Sequence, residues 1–134
     1  FVTQKIVQAA ARISRGSQEK LNIGNLTIER DWGWAPDYVD AMWRMLNSSS
    51  PSDYIIATGK TVSLEYFTDH VFDHFKLNWK DHIAIDDSLL RPTDISYSGG
   101  DPSKANNSLG WSHTKDVDAV ISLMCDYAQN VSVK

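Results

Sequence analysis

The stretch "KLNIGNLTIERDWGWAPDYVDAMW", residues 20–43, carries the first clear alternation of element types in the chain. "KLNIGN" reads as a short strand ending in a turn, because Gly24 and Asn25 accept backbone angles that other residues avoid. Pro36 suits the first turn of a helix, where its missing N–H costs nothing. After it Val39, Met42, Trp43 and Leu46 recur at the spacing of one helical face, which predicts that this face turns to the core. Between strand and helix stands "RDWGWAPDY" (30–38), a cation and two large aromatics at a helix entrance, with no periodicity that would build a core.

The same alternation extends in both directions. Val2, Ile6, Ala9, Ala10 and Ile13 fall at helical spacing, and Gly16 makes a stop. "NSSSPSD" (47–53) is a polar loop, and "YIIAT" (54–58) is a compact β-branched run that predicts a strand. Ser63 is placed to cap a helix running to about Phe75, with Leu64, Phe67, Val71 and Phe75 on its inner face. "HIAID" (82–86) predicts another short strand and "DISYS" (94–98) a third extended piece, closed by Gly99-Gly100. Asp101 is expected to cap a short helix to Leu109, and Val117, Val120, Ile121, Met124 and Ala128 mark a last helix. Helices alternating with short strands predict an α/β fold, a small sheet with about five helices. No repeat, low-complexity tract or internal boundary interrupts residues 1–134, so one domain is expected.

Composition narrows the function. A formal net charge of -4 argues against general binding of nucleic acid. No run of about 18 apolar residues exists, which argues against a membrane span. The chain opens "FVTQKIVQAA", without methionine and already in helical rhythm, as the middle of a longer protein would. One cysteine, Cys125, excludes an internal disulfide and fits a reducing compartment; its apolar helical setting marks it as core filler. Asn25, Asn47, Asn106 and Asn130 match the short Asn-x-Ser/Thr pattern, which arises often by chance.

Several catalytic constellations are absent. The sequence holds no G-x-x-G-x-x-G or Walker-type loop, no G-x-S-x-G elbow, and no tyrosine followed four residues later by lysine. His70 and His74 have the spacing of metal ligands on a helix, with Asp69 and Asp73 beside them, but no third ligand is evident, and an amphipathic helix accounts for them. The arginines are more informative. Arg30 precedes a helix start, and Arg91 lies in "LLRPTD" between a strand and an extended piece. Element ends are where ligand groups usually sit, and a guanidinium can hold two phosphate oxygens at fixed geometry. The competing reading is local ion pairing, Arg30 with Asp31 or Glu29 and Arg91 with Asp87 or Asp94.

The order of motifs adds to this. "FVTQKI", "GNLTIERDWGWAPDYVDAMW", "DYIIATG", "RPTDI" and "GDPSKANNSLGW" together resemble the C-terminal part of the GDP-mannose 4,6-dehydratase family, within the extended short-chain dehydrogenase/reductases. The resemblance runs from Phe1 to about Met124. It implies a substrate-gripping lobe, with an N-terminal Rossmann lobe that binds NADP and carries the catalytic residues lying outside this sequence. It further implies that GDP-mannose is the ligand, that the parent is a cytoplasmic homo-oligomer, and that this chain, a fragment, holds neither catalytic residues nor cofactor. Residue by residue, the resemblance implies that Val2 and Lys5 face the nucleotide from a helix start and that Asn25 lies near the nucleoside. Arg30 and Arg91 would grip the diphosphate, and Asp94, where the family usually has glutamate, would meet the ribose hydroxyls. Gln4 departs from the family's arginine and receives no role. Asp31 and the aromatics would hold Arg30 in place, and Trp32, Trp34 and the apolar face of the first helix would meet the other lobe.

Three alternatives stay open on the sequence: a related GDP-sugar reductase or epimerase, a free-standing GDP-sugar binding module without catalysis, and a structural domain whose arginines merely make ion pairs.

Overall fold

The structure, a computed structural model, describes residues 1–90 and 93–131. Five α-helices and five short strands are assigned among them. The fold is α/β as expected, but the strands form a two-stranded and a three-stranded sheet instead of one. The chain divides into two compact units, Phe1–Ile28 with Ser63–Ser96 and the segment from Ile121 onward, and Glu29–Val62 with Tyr97–Val120.

In the first unit, α1 (Val2–Ser14) packs against α3 (Leu64–His74). Their facing side chains follow the helical period: Ile6, Val7, Ala10 and Ile13 from one, Leu64, Phe67, Val71 and Phe72 from the other, all buried. The apolar face of α1 is therefore satisfied inside its own unit, which corrects the expectation that it waits for another lobe. Ser63 caps α3 as its position predicts, its hydroxyl accepting from the Tyr66 amide at 3.0 Å. The incoming chain is fastened to the same helix start, where the Leu64 and Glu65 amides donate to the carbonyls of Ile28 and Leu26. Strand β1 (Leu21–Ile23) pairs in parallel with β4 (Ile83–Ile85), in the register Leu21↔Ile83 and Ile23↔Ile85. Parallel pairing requires a crossover, and α3 lies in that connection.

In the second unit, β2 (Glu29–Arg30) pairs in parallel with β5 (Tyr97–Ser98), and β3 (Val62–Ser63), within which the units divide, completes the order β3-β2-β5. Helix α2 (Ala35–Leu46) packs on α4 (Ser103–Leu109) around buried Ala41, Ala105 and Trp111. Three expectations fail here. The face of α2 bearing Val39, Met42, Trp43 and Leu46 is exposed, at 63%, 57%, 64% and 86%, whereas Asp37 and Ala41 are the residues it buries. The contact is made by Ala41, which packs in one buried cluster with Trp111 and Ala105. The run 54–58 is not a strand either. Its end is organised by a side chain instead of a ladder, for the Asp31 carboxylate accepts from the amides of Thr58 at 3.1 Å and Gly59 at 2.8 Å. Asp101 does not cap α4 as expected: Pro102 takes the N-cap position, and the Asp101 carboxylate accepts the Ser103 amide at 2.9 Å in a turn that precedes the helix. Helix α5 (Val117–Asn130) runs from the second unit into the first and buries Val117, Val120, Ile121, Cys125 and Ala128.

Candidate functional site

A cleft of about 800 Å³ opens in the first unit where three element ends converge: the N-terminus of α1, the C-terminal end of β1, and the turn after β4. That volume falls within the range of small-molecule sites. Its apolar wall includes Val2, Ile28, Leu64, Leu89 and Leu90, and its polar groups are Lys5, Asn22, Asn25, Ser88 and Asp94. Helix α1 brings no side-chain cap to this cleft and no acidic residue in its first turn. Its leading amides and positive dipole end are therefore available to an anion. Lys5, one turn in, donates from Nζ to the Asn22 carbonyl at 2.8 Å, which holds a positive charge against the end of β1.

The turn after β1 is built by Asn25, whose Oδ1 accepts from both the amide and the hydroxyl of Thr27 at 2.8 Å. Both bonds fall on the oxygen, so among the described residues the amide nitrogen of Asn25 stays uncommitted. The opposite wall is the 3-10 turn Asp87–Leu89. It is shaped by Asp86, whose carboxylate accepts from the Ser88 amide at 3.0 Å and whose own amide donates to the Ile23 carbonyl at 2.9 Å. Gly24 brings the two walls together: a Cβ there would stand 3.0 Å from the carbonyl carbon and oxygen of Leu89.

Four residues singled out from the sequence, Val2, Lys5, Asn25 and Asp94, thus line one cleft. Arg30 belongs to the second unit. Its guanidinium donates to the Glu29 carbonyl at 2.8 Å and makes no ion pair among the described residues. The idea that Asp31 holds Arg30 is corrected, since the Asp31 carboxylate is committed to the Thr58–Gly59 backbone. Arg91 lies outside the described residues. Asn22, Ser88, Leu89 and Leu90 were not anticipated as lining. Asn22 could have been found, because it stands between the two apolar residues of a strand that ends at a glycine turn; the others depend on how the turn after β4 folds back.

The remaining polar singularities have structural partners. The carboxylate of buried Asp37 accepts from the amide and hydroxyl of Thr114 at 2.9 and 2.7 Å, and its carbonyl accepts from Trp111 Nε1 at 2.8 Å. This explains "WAPD": the helix start is fastened to the segment after α4. Tyr38 lies edge-on to Trp111 with ring centres 6.5 Å apart, and burial, then the nearby carboxylates of Asp31 and Asp37, push its phenol pKa upward. His70 is stacked on Tyr66, and His74 meets Asp126 at 3.3 Å. No cluster of three metal-ligating side chains occurs among the described residues. Burial pushes the Cys125 thiol up to about 12, with Asp126 adding to the effect, so it is a packing residue rather than a nucleophile.

Solved structures with this fold define the class. The chain superposes with a TM-score of 0.85 on RMD from Pseudomonas aeruginosa complexed with NADPH, at 17% identity, over 96% of this chain and 42% of that one. Against dTDP-glucose 4,6-dehydratase from Bacillus anthracis in complex with NAD the score is 0.78 at 16% identity, over 93% and 38%. The fold is thus that of a portion of the extended short-chain dehydrogenase/reductases. Within that class, the profile described as GDP-mannose 4,6 dehydratase matches residues 1–124, and the chain belongs to that family. It is 44% identical to GDP-mannose 4,6 dehydratase 1 of Arabidopsis thaliana over 126 residues, 94% of this chain and 35% of that protein. The human GDP-mannose 4,6 dehydratase is 36% identical over 141 aligned residues, 92% of this chain and 38% of its own length. The chain therefore spans little more than a third of these relatives.

Proposed function

We propose that residues 1–134 form the nucleotide-sugar binding part of a GDP-mannose 4,6-dehydratase, an enzyme that converts GDP-mannose to GDP-4-keto-6-deoxymannose and water. The observation that carries this reading is the cleft at the uncapped start of α1, where Val2, Lys5, Asn25 and Asp94 gather. Each contributes a different kind of grip. The α1 amides and Lys5 offer positive potential to an anionic ligand, Asn25 offers amide donors to a base, and the exposed Asp94 carboxylate offers acceptors to ribose hydroxyls. Arg30 retains most of its guanidinium donors among the described residues, where its one hydrogen bond is to a carbonyl, and we assign it with Arg91 to the diphosphate.

In this reading the chain supplies affinity and orientation, which can carry several kcal/mol of a reaction barrier. The nicotinamide cofactor, NADP, is assigned to residues outside the chain, because no strand–helix junction here has the glycine-rich sequence that brings a backbone against a pyrophosphate. The partners implied are GDP-mannose, the cofactor-binding remainder of the enzyme, and further copies of the whole enzyme. No described helix is long and apolar enough to cross a membrane, and with the single reduced cysteine this supports a cytoplasmic setting.

The test uses a full-length chimera, the Arabidopsis protein with this chain replacing its matched third. Arg30→Ala or Arg91→Ala should each remove a charge-assisted contact of roughly 1.5–3 kcal/mol, about a ten- to hundredfold loss of GDP-mannose affinity. Lysine at either place should restore part of that, because it cannot make the bidentate fork. NADP affinity should stay unchanged. Arginine variants that bind GDP-mannose as tightly as the parent would remove the diphosphate assignment.

A further inference from the structure

Donors outnumber acceptors among the described polar groups of the cleft. Lys5 carries N–H groups and no acceptor, and the uncapped amides of α1 are donors too. Asn25 has its side-chain oxygen committed to Thr27 and offers a ligand only its NH2 group. Ser88 turns its hydroxyl to the Asp86 carboxylate, and the Asp94 carboxylate is the group assigned to ribose. That leaves Asn22. It stands on β1 between buried Leu21 and Ile23, so its exposed side chain leaves the strand on the opposite face, and the residue lines the cleft. The Asn22 carbonyl accepts from Lys5 Nζ at 2.8 Å, and among the described residues its side-chain amide makes no hydrogen bond.

We propose that Asn22 is a specificity-determining residue of the cleft, which takes the ring N–H of a 6-oxopurine on its side-chain oxygen. The inference rests on the reading of the cleft as a nucleotide-sugar site and adds the residue that helps select the base. A 6-oxopurine presents a carbonyl acceptor beside a ring N–H donor. The carbonyl suits the donors of Lys5 and Asn25, and the N–H needs the acceptor that Asn22 supplies. A 6-aminopurine presents the reverse order, an amino donor beside a bare ring nitrogen. Asn22 can turn its amide to serve either order, but the Lys5 ammonium can only donate, and its bond to the Asn22 carbonyl holds it beside that amide. An amino group seated there would set donor against cation. Lys5 therefore keeps the 6-aminopurine out of the seat, and Asn22 rewards the base that takes it.

The test titrates GDP, inosine diphosphate and ADP into the full-length chimera. Inosine diphosphate keeps the 6-oxo group and lacks only the 2-amino group of guanine. NADP is held saturating, so that ADP reports on the cleft and not on the cofactor site. Asn22→Leu should weaken GDP and inosine diphosphate about tenfold each and leave ADP unchanged. Asn22→Gln should recover part of the loss, because it restores the amide. A purely structural role of Asn22 would weaken all three ligands alike. An Asn22→Leu protein with the parent's ratio of GDP to ADP affinity overturns the proposal and leaves the nucleotide reading standing. A parent chimera that binds none of the three overturns the nucleotide reading, and this inference with it. Should the chimera not fold, nitrogen-15 spectra of the 134-residue chain decide. The side-chain NH2 signals of Asn22, identified by their loss in Asn22→Leu, should move with GDP and with inosine diphosphate but not with ADP. Equal movement with all three, or none with any, overturns the proposal.

Discussion

Gly24→Ala tests how the cleft is shaped. The added Cβ would lie 3.0 Å from the Leu89 carbonyl carbon and oxygen and 3.2 Å from its Cβ, against the 3.4 Å at which ordinary contact begins. Two of these neighbours are backbone, so no rotamer change relieves them. The turn cannot retreat alone, because the Asp86 amide donates a hydrogen bond of 2.9 Å to the Ile23 carbonyl and its carboxylate accepts from the Ser88 amide. Either the end of β1 or the end of β4 must give by a few tenths of an ångström. Overpacking of this kind costs about 1–3 kcal/mol, which for a chain of this size lowers Tm by roughly 3–10 °C. The same movement displaces Asn25 and Leu89, two walls of the cleft, so GDP-mannose affinity in the full-length chimera should fall about tenfold. Gly16→Ala is the matched control. Gly16 has φ +99° but nothing within 4 Å of a built Cβ, so alanine there should cost about 1–2 kcal/mol of backbone strain and leave affinity alone. Thermal unfolding followed by far-UV circular dichroism and calorimetric titration would measure both. A Gly24→Ala protein with the parent Tm and parent affinity would refute the account of how the walls meet.

Further outcomes follow from single sites. Lys76 holds φ +60° at the end of α3, where its amide donates to the Asp73 carbonyl at 2.8 Å, so Lys76→Gly should raise stability by about 1 kcal/mol, read as a higher Tm. Asp37→Ala should cost about 3 kcal/mol, because the amide and hydroxyl of Thr114 lose their acceptor, and Asp37→Asn should recover part by keeping one carbonyl oxygen. Asp101 has its pKa lowered below 3.8 by the hydroxyl and amide of Ser103. Its contribution is therefore complete above pH 3.8 and lost as pH falls through the lower folded value, and Asp101→Asn should remove that acid-side dependence from the Tm profile. With its thiol pKa near 12, Cys125 should stay unmodified by a disulfide reagent in the native protein and react in full on denaturation.

Which elements the sequence reveals depends on where each is held. Helices α1, α3 and α5 were legible because their apolar residues repeat at 3.6 and face a core within the chain. Their ends carry local chemistry, the Ser63 cap and the stop at Gly16, whose φ is +99°. The run "YIIAT" misled because β-branched composition reports only that a segment tolerates extension. Here the neighbouring carboxylate of Asp31, 27 residues away, takes the amides of its final turn. No local pattern announces such a contact. Asp37 is similar: in the sequence it is an acidic residue in a first helical turn, with a favourable dipole, and its burial against Thr114 comes from a contact 77 residues distant.

The cleft was legible only in part, for a physical reason. Element ends can be read from glycine, proline and capping residues, but Val2, Lys5, Asn25 and Asp94 were reached through the family resemblance of the motifs that carry them, not from local pattern. How closely two ends approach is set by a glycine whose role is steric, and Gly24 looked only like a turn-former until its distance to Leu89 was known. Helix α2 gives the converse lesson. Its stripe of Val39, Met42, Trp43 and Leu46 has the period of a core face, yet it is exposed, because α2 packs through Ala41 instead. Periodicity locates an apolar face but not what meets it, and here the contact that α2 makes within the chain is carried by one small residue, Ala41, which no periodic pattern singles out.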